Sequence, residues 1–263
     1  MTELGDAVAR VLRGERAEHV VPAVLASMPQ LDNAGRRRVA LRVYGTSIFR
    51  ITLAYLTGVE IDARHAETLV DAYVHFVEER ATPSRPWPTD PVERVVVERS
   101  CPRPIVDALS RSFALADVDR FLAASNVPGP KVLRANTLKC TRAALQERLR
   151  TDAIDTDDGT IAASALVVDE HASGRVNLFG SGAWRDGWFE VQDQASQFVA
   201  EACRAKPGDV VVDLCAGRGG KTLALAASMQ NRGTVHVHDV DERALADMQP
   251  RLGRAGIACV RRG

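Results

Sequence analysis

A run of β-branched residues, Asp209-Val210-Val211-Val212-Asp213-Leu214, breaks into Cys215-Ala216-Gly217-Arg218-Gly219-Gly220 and resumes as the helix-forming Lys221-Thr222-Leu223-Ala224-Leu225-Ala226-Ala227. The apolar run suits a strand buried in a parallel sheet, the glycines permit a tight turn close to a ligand, and the alanine- and leucine-rich run is helical. A second strand, Thr234-Val235-His236-Val237-His238, ends in Asp239 and yields to a helix through Arg243-Ala244-Leu245-Ala246-Asp247-Met248. Strand, glycine turn, helix and strand in this order open a Rossmann-type α/β nucleotide-binding unit.

Three ligands compete for the turn. A Walker phosphate loop needs a glycine where Cys215 stands, although Gly220-Lys221-Thr222 supplies its end. A dinucleotide fingerprint fits Gly217 and Gly219 but needs a third glycine where Thr222 stands, which disfavours an NAD enzyme. S-adenosylmethionine has no pyrophosphate, so a shorter turn suffices for it. Asp239, at the end of the second strand, is placed to accept both hydroxyls of a ribose.

The rest of the chain divides by pattern. Residues 1–80 read as a helical bundle, with apolar positions such as Val8, Val11 and Leu12 and then Val20, Val21 and Val24 at three- and four-residue spacing. Pro83, Pro86, Pro88 and Pro91 mark residues 81–100 as a linker, and Trp87 is expected to dock it. Residues 101–190 alternate helix and strand: a strand over Val132–Leu138, a helix capped by Thr141, a strand over Ala165–Val168, and a packed loop around Trp184, Trp188 and Phe189. This suggests a small α+β module that could present a sheet to RNA, or be merely structural. Residues 191–263 form the start of the nucleotide-binding domain.

Composition narrows the partners. With 34 Lys+Arg against 34 Asp+Glu, overall charge gives no support to a nucleic-acid partner. No apolar stretch reaches the ~18 residues of a spanning helix, and the start of the chain lacks the basic residues of a signal peptide, so a cytoplasmic protein with no membrane partner is expected. Cys101, Cys140, Cys203, Cys215 and Cys259 are too dispersed for a disulfide framework or a zinc site. His236 and His238 share one strand face without visible further metal ligands.

Asp213-Leu214-Cys215-Ala216-Gly217-Arg218-Gly219-Gly220-Lys221-Thr222 resembles the D-x-C-A-x-P-G-G-K-T motif of the Sun (Fmu/RsmB-type) RNA cytosine-5 methyltransferases. Leu133-Arg134-Ala135-Asn136-Thr137-Leu138-Lys139 is similar to that family's L-R-x-N-T-L-K segment, and Gly187 to Ser196 to its G-x-x-x-V-Q-D-x-A-S segment. The resemblance implies a mixed fold: an N-terminal all-α, NusB-like bundle, a small α+β module facing ribosomal RNA, and the first part of a Rossmann-type methyltransferase domain. It implies S-adenosyl-L-methionine as cofactor, lined by Cys215, Ala216, Gly217, Arg218, Gly219, Gly220 and Lys221, with Asp239 on the ribose. Arg218 departs from the family's proline, and a guanidinium beside a sulfonium is favourable only if it turns outward.

The family's catalytic cysteines lie in D-A-P-C-S-G-type and T-C-S-type segments, neither of which occurs here. The residues from Asp209 onward are also fewer than the ~100 to 150 of a compact domain. The chain is therefore expected to stop inside its catalytic domain, to have no catalytic residue of its own and to be inactive alone, a separate polypeptide completing the site if one does. The alternative is a non-catalytic RNA-binding protein or a relic of such an enzyme.

Overall fold

The computed structural model describes residues 2–83, 85–169 and 177–263. Met1, Ser84 of the expected linker, and residues 170–176 of the expected α+β module lie outside the described residues. The chain forms two compact units, Met1–Pro128 and Gly129–Gly263.

The first unit is helical: α1 (Glu3–Leu12), α2 (Ala17–Ser27), α3 (Asn33–Ile48), α4 (Arg50–Thr57), α5 (Ala66–Tyr73), α6 (Pro91–Glu98), α7 (Arg103–Ser110) and α8 (Leu115–Ser125). Short polar side chains cap α1 and α3, Thr2 accepting from the Gly5 amide at 3.0 Å and Asp32 from the Gly35 amide at 2.7 Å. Val8, Val20, Val24, Val43 and Val70 form one core, and Val96, Val106 and Val118 another. The Pro-rich stretch contains a helix that the linker reading left out. Asp90 accepts from the Glu93 amide at 2.8 Å, and Pro91 falls in the first turn of α6, where its missing N–H costs nothing. Trp87 stacks on Tyr55 at 6.3 Å, and the Tyr55 hydroxyl donates to the Pro86 carbonyl.

The second unit contains two sheets. Strands β1 (Val132–Ala135), β2 (Thr156–Asp158), β3 (Ala165–Val168) and β4 (Phe189–Val191) pair antiparallel in the order β2-β3-β1-β4. Helix α9 (Arg142–Thr151) follows Thr141, whose hydroxyl accepts from the Ala144 amide at 3.1 Å. The packed loop expected around Phe189 is corrected: Phe189 lies fully buried in β4, held by pairing with the distant β1. Trp184, in the one-turn α10 (Gly182–Arg185), and Trp188 pack beside it on the core of Leu133, Leu145, Leu149 and Leu166.

After α11 (Gln194–Ala202), strands β5 (Val210–Asp213), β6 (Thr234–Val237) and β7 (Val260–Arg262) pair parallel, linked by α12 (Gly220–Ser228) and α13 (Glu242–Ala255). One sheet face, with Val235 and Val237, packs on Leu223, Met229, Leu245 and Met248. Burial of β5 on both sides is not what the structure has: Val210, Val212 and Leu214 are 71%, 59% and 67% exposed, because α12 and α13 both cover the other face. Helical region, antiparallel α+β module and opening α/β unit together realise the mixed fold class read from the sequence.

Candidate functional site

The glycine turn joins β5 to α12, and its geometry follows from residues that lack side chains. Gly217 and Gly219 have φ of +51° and +82°, in the left-handed region where L side chains are strained. A Cβ at Gly219 would also meet Met248 Cγ at 2.5 Å, so α13 packs directly beneath it. At Gly217 and Gly220 such a Cβ would make only ordinary van der Waals contact, with Asp239 Oδ2 at 3.9 Å and Gln192 Nε2 at 3.6 Å.

Asp239 faces this turn. Its Oδ2 accepts from the Gly217 amide at 2.7 Å and its Oδ1 from the Asp241 amide at 2.9 Å. These amides, Asp241 first, hold the carboxyl below its usual range, so it is a fixed anion with lone pairs left for further donors. Cys215 is exposed at the strand end, while Ala216 is buried and donates its amide to the His238 carbonyl at 3.0 Å. Gly219 donates to the Ala216 carbonyl at 2.8 Å, closing the turn. Lys221 is exposed on the first turn of α12, which no side chain caps. Arg218 turns to Asp247, with Nε 3.2 Å from Oδ2.

Six residues at this turn were missed by sequence reasoning. Thr222 donates its hydroxyl to Asp213 at 2.7 Å, tying helix start to strand end. Arg134, bound to Gln192, donates to the Gly220 carbonyl, and Arg251, paired with Glu190, donates to the Arg218 carbonyl. Asp213, Thr222, Arg134 and Gln192 stand at matched positions of the segments that resemble the family, which is the signal that could have found them, whereas local pattern alone would place Glu190 and Arg251 on solvent faces.

Burial pushes the thiols of Cys101 and Cys259 up, and that of Cys140 to about 11, which makes them poor thiolates. Among the described residues no three His, Cys, Asp or Glu side chains converge as a metal site, and no helix is long and apolar enough to cross a membrane. A cavity of about 320 Å³, lined by Arg134, Arg142, Ser164, Gln197, Glu201 and Ser228 among others, does not include the glycine turn.

A parallel sheet opening on a glycine turn, with an anchored carboxylate at the end of the next strand, makes a Rossmann-type nucleotide-binding unit. Residues 188–261 match the model of the ubiE/COQ5 methyltransferase family, and residues 101–174 that of the RsmF/B-like methyltransferase ferredoxin-like domain. The chain is 24% identical over 193 residues to a probable ribosomal RNA small subunit methyltransferase B of Bacillus subtilis (strain 168), covering 73% of this chain and 42% of that protein. It is 29% identical over 154 residues to a 28S rRNA (cytosine-C(5))-methyltransferase of Mus musculus, covering 58% and 19% respectively. The crystal structure of PH0851 shares the fold, with a TM-score of 0.74 at 19% identity over 100% of this chain and 69% of that one. These matches make the chain similar to methyltransferases of the RsmB type, and it spans less than half the length of these two sequence relatives.

Proposed function

We propose that these residues are the RNA-facing and cofactor-binding part of an S-adenosylmethionine-dependent RNA (cytosine-5-)-methyltransferase acting on ribosomal RNA. The reading rests chiefly on Asp239, fixed by the Gly217 and Asp241 amides against the glycine turn. The donor set fits the cofactor: a carboxylate suits a ribose diol, and the uncapped first turn of α12 suits the carboxylate of the methionine part. Residues Cys215 to Lys221 would line the cofactor. When bound, S-adenosylmethionine supplies an electrophilic methyl group. The relatives' names, which specify ribosomal RNA and cytosine C5, support the substrate class. The helical residues 1–80 are assigned to RNA binding as a NusB-like domain, residues 81–100 to the connection, 101–190 to the RNA-facing module and 191–263 to the cofactor domain, in the cytoplasm.

Burial raises the thiols of Cys101, Cys140 and Cys259, and none of the five cysteines lies in a D-A-P-C-S-G- or T-C-S-type segment, so these 263 residues alone should bind cofactor without methyl transfer. Calorimetric titration with S-adenosylmethionine is expected to give micromolar binding. Asp239→Ala should weaken it at least about tenfold, the scale of one lost charge-assisted hydrogen bond. No heat at millimolar cofactor, or full affinity in the variant, overturns the reading.

The pH dependence follows from the sign of the shift. Asp239 is held below the usual carboxylate range, so it stays ionised as pH falls from neutral through mildly acidic values. Its contribution to cofactor binding should be flat over that window and be lost only as pH falls through its depressed value. A titration series that already weakens near neutrality would contradict the assignment.

A further inference from the structure

We infer that Arg134 and Arg251 are positioning residues for the cofactor turn, two guanidinium clips through which the antiparallel sheet holds the turn in its binding shape. The inference rests on the reading of the turn as the S-adenosylmethionine site.

Register places the parts. Arg134 in β1 stands opposite Glu190 in β4, and Gln192 follows two residues later on the same face. The other face of the sheet, with Leu133, Ala135 and Phe189, makes the apolar core. Arg134 Nη1 donates to Gln192 Oε1 at 2.6 Å and to the Gly220 carbonyl at 2.7 Å. Glu190 Oε2 accepts from Arg251 Nη2 at 2.7 Å and Nε at 3.1 Å, while Arg251 Nη1 donates to the Arg218 carbonyl at 2.6 Å. The two carbonyls that bracket Gly219 thus each accept from an arginine, and each arginine is held by a side chain of β4 or the residue just beyond it.

The turn needs such external bonds. Gly217 and Gly219 adopt left-handed backbone that glycine enters without a side chain to lock it, and glycine has the most conformational freedom to lose. Arg218 occupies the position where the family pattern has a ring-stiffened proline. Arg134 is only 5% exposed, and its burial pushes the guanidinium down to about 10, so it remains charged at neutral pH. A buried charge is weak evidence of stabilisation, since an apolar group of the same shape often does as well. Its bonds instead specify where the turn sits. The same sheet lies in the module assigned to RNA, so the clips join the two parts of the proposed site mechanically.

The experiment compares the full chain with Arg134→Met, Arg134→Lys, Arg251→Met and Gln192→Leu, reading amide hydrogen exchange without ligand and S-adenosylmethionine affinity by calorimetry. Amides of residues 217–223 should exchange at least about tenfold faster in Arg134→Met and Arg251→Met, and the cofactor should bind at least about tenfold more weakly. Amides of Val235 and Val237 should be unchanged. Lysine keeps the charge but its shorter side chain stops short of the Nη1 position from which both acceptors are reached, so Arg134→Lys should fall between wild type and Arg134→Met. A purely structural role predicts faster exchange everywhere and unaltered affinity of the folded fraction, which would overturn the clips. So would unchanged turn exchange in cooperatively folded variants. If Arg134→Met fails to fold, Gln192→Leu keeps the arginine and loses its anchor; a turn exchanging at the wild-type rate there overturns the inference. If the wild-type chain binds no cofactor, the reading of the site fails, and turn exchange alone decides the clips.

Discussion

Gly187→Ala is expected to destabilise the second unit by roughly 3–5 kcal/mol, combining a strained left-handed residue with an overpacked contact. Gly187 has φ of +70°, and a Cβ there would lie 2.0 Å from the Arg254 carbonyl oxygen and 2.7 Å from its carbon. These are backbone atoms at the end of α13, so no rotamer change relieves the clash. Helix and turn are also bound together: Asn136 Nδ2 donates to the Gly187 carbonyl at 2.9 Å and the Ala255 carbonyl at 2.8 Å, and Lys139 Nζ to the Asp186 and Arg254 carbonyls, each at 2.7 Å. These donors satisfy carbonyls that the last helical turn leaves open. Moving α13 away from the alanine would stretch the two bonds that reach it, to the Ala255 and Arg254 carbonyls. Gly253→Ala, on the same helix with nothing within 4 Å of the added Cβ, should instead stabilise by about 0.5–1 kcal/mol through helix propensity. Denaturant unfolding of the two variants checks both signs; a loss below about 1 kcal/mol for Gly187→Ala would contradict the close approach.

The glycine turn was legible because β-branched residues, three glycines and a helical run adjoin within one short window, where local rules suffice. The carboxylate of Asp239 was legible because strand ends are. What local pattern lacks is the second layer. Arg134 and Glu190 alternate with buried apolar neighbours as polar residues of a half-exposed strand do, yet both are buried, because the segments carrying Gly220 and Arg251 cover their face. Strand β4 has three residues between a tryptophan and a glutamine, and only long-range pairing with β1 makes it a strand. Strand β2, Thr156–Asp158, is polar and lies at the sheet edge, so it has neither periodicity nor β-branched enrichment to announce it. The reverse error occurs at β5, where an unbroken apolar run implies cover on two faces and the chain supplies it on one.

Glu190→Ala should cost a similar amount, about 3–5 kcal/mol, because it removes the anion from a buried cluster of cations. The Glu190 side chain is 3% exposed and pairs with both Arg251 and Arg254, whose side chains are 22% and 19% exposed. Arg254 also lies with its guanidinium 3.4 Å from the Trp184 ring centroid, so it cannot swing to solvent without giving up a cation–π contact. Arg134 sits opposite Glu190 in the sheet and draws on the same negative charge. Without the carboxylate, three guanidiniums would share a poorly hydrated space. Glu190→Gln keeps the shape and one acceptor, so it should lose less, and the difference between the two variants separates packing from charge. Glu147→Ala, which breaks an exposed pair with Arg150, should change stability by no more than about 0.5 kcal/mol. Added salt distinguishes the two cases further, since screening reaches an exposed pair and barely reaches a buried one. If Glu190→Ala proved as mild as Glu147→Ala, the cluster would be hydrated rather than sealed, and Arg251 would have no fixed anchor from which to hold the Arg218 carbonyl.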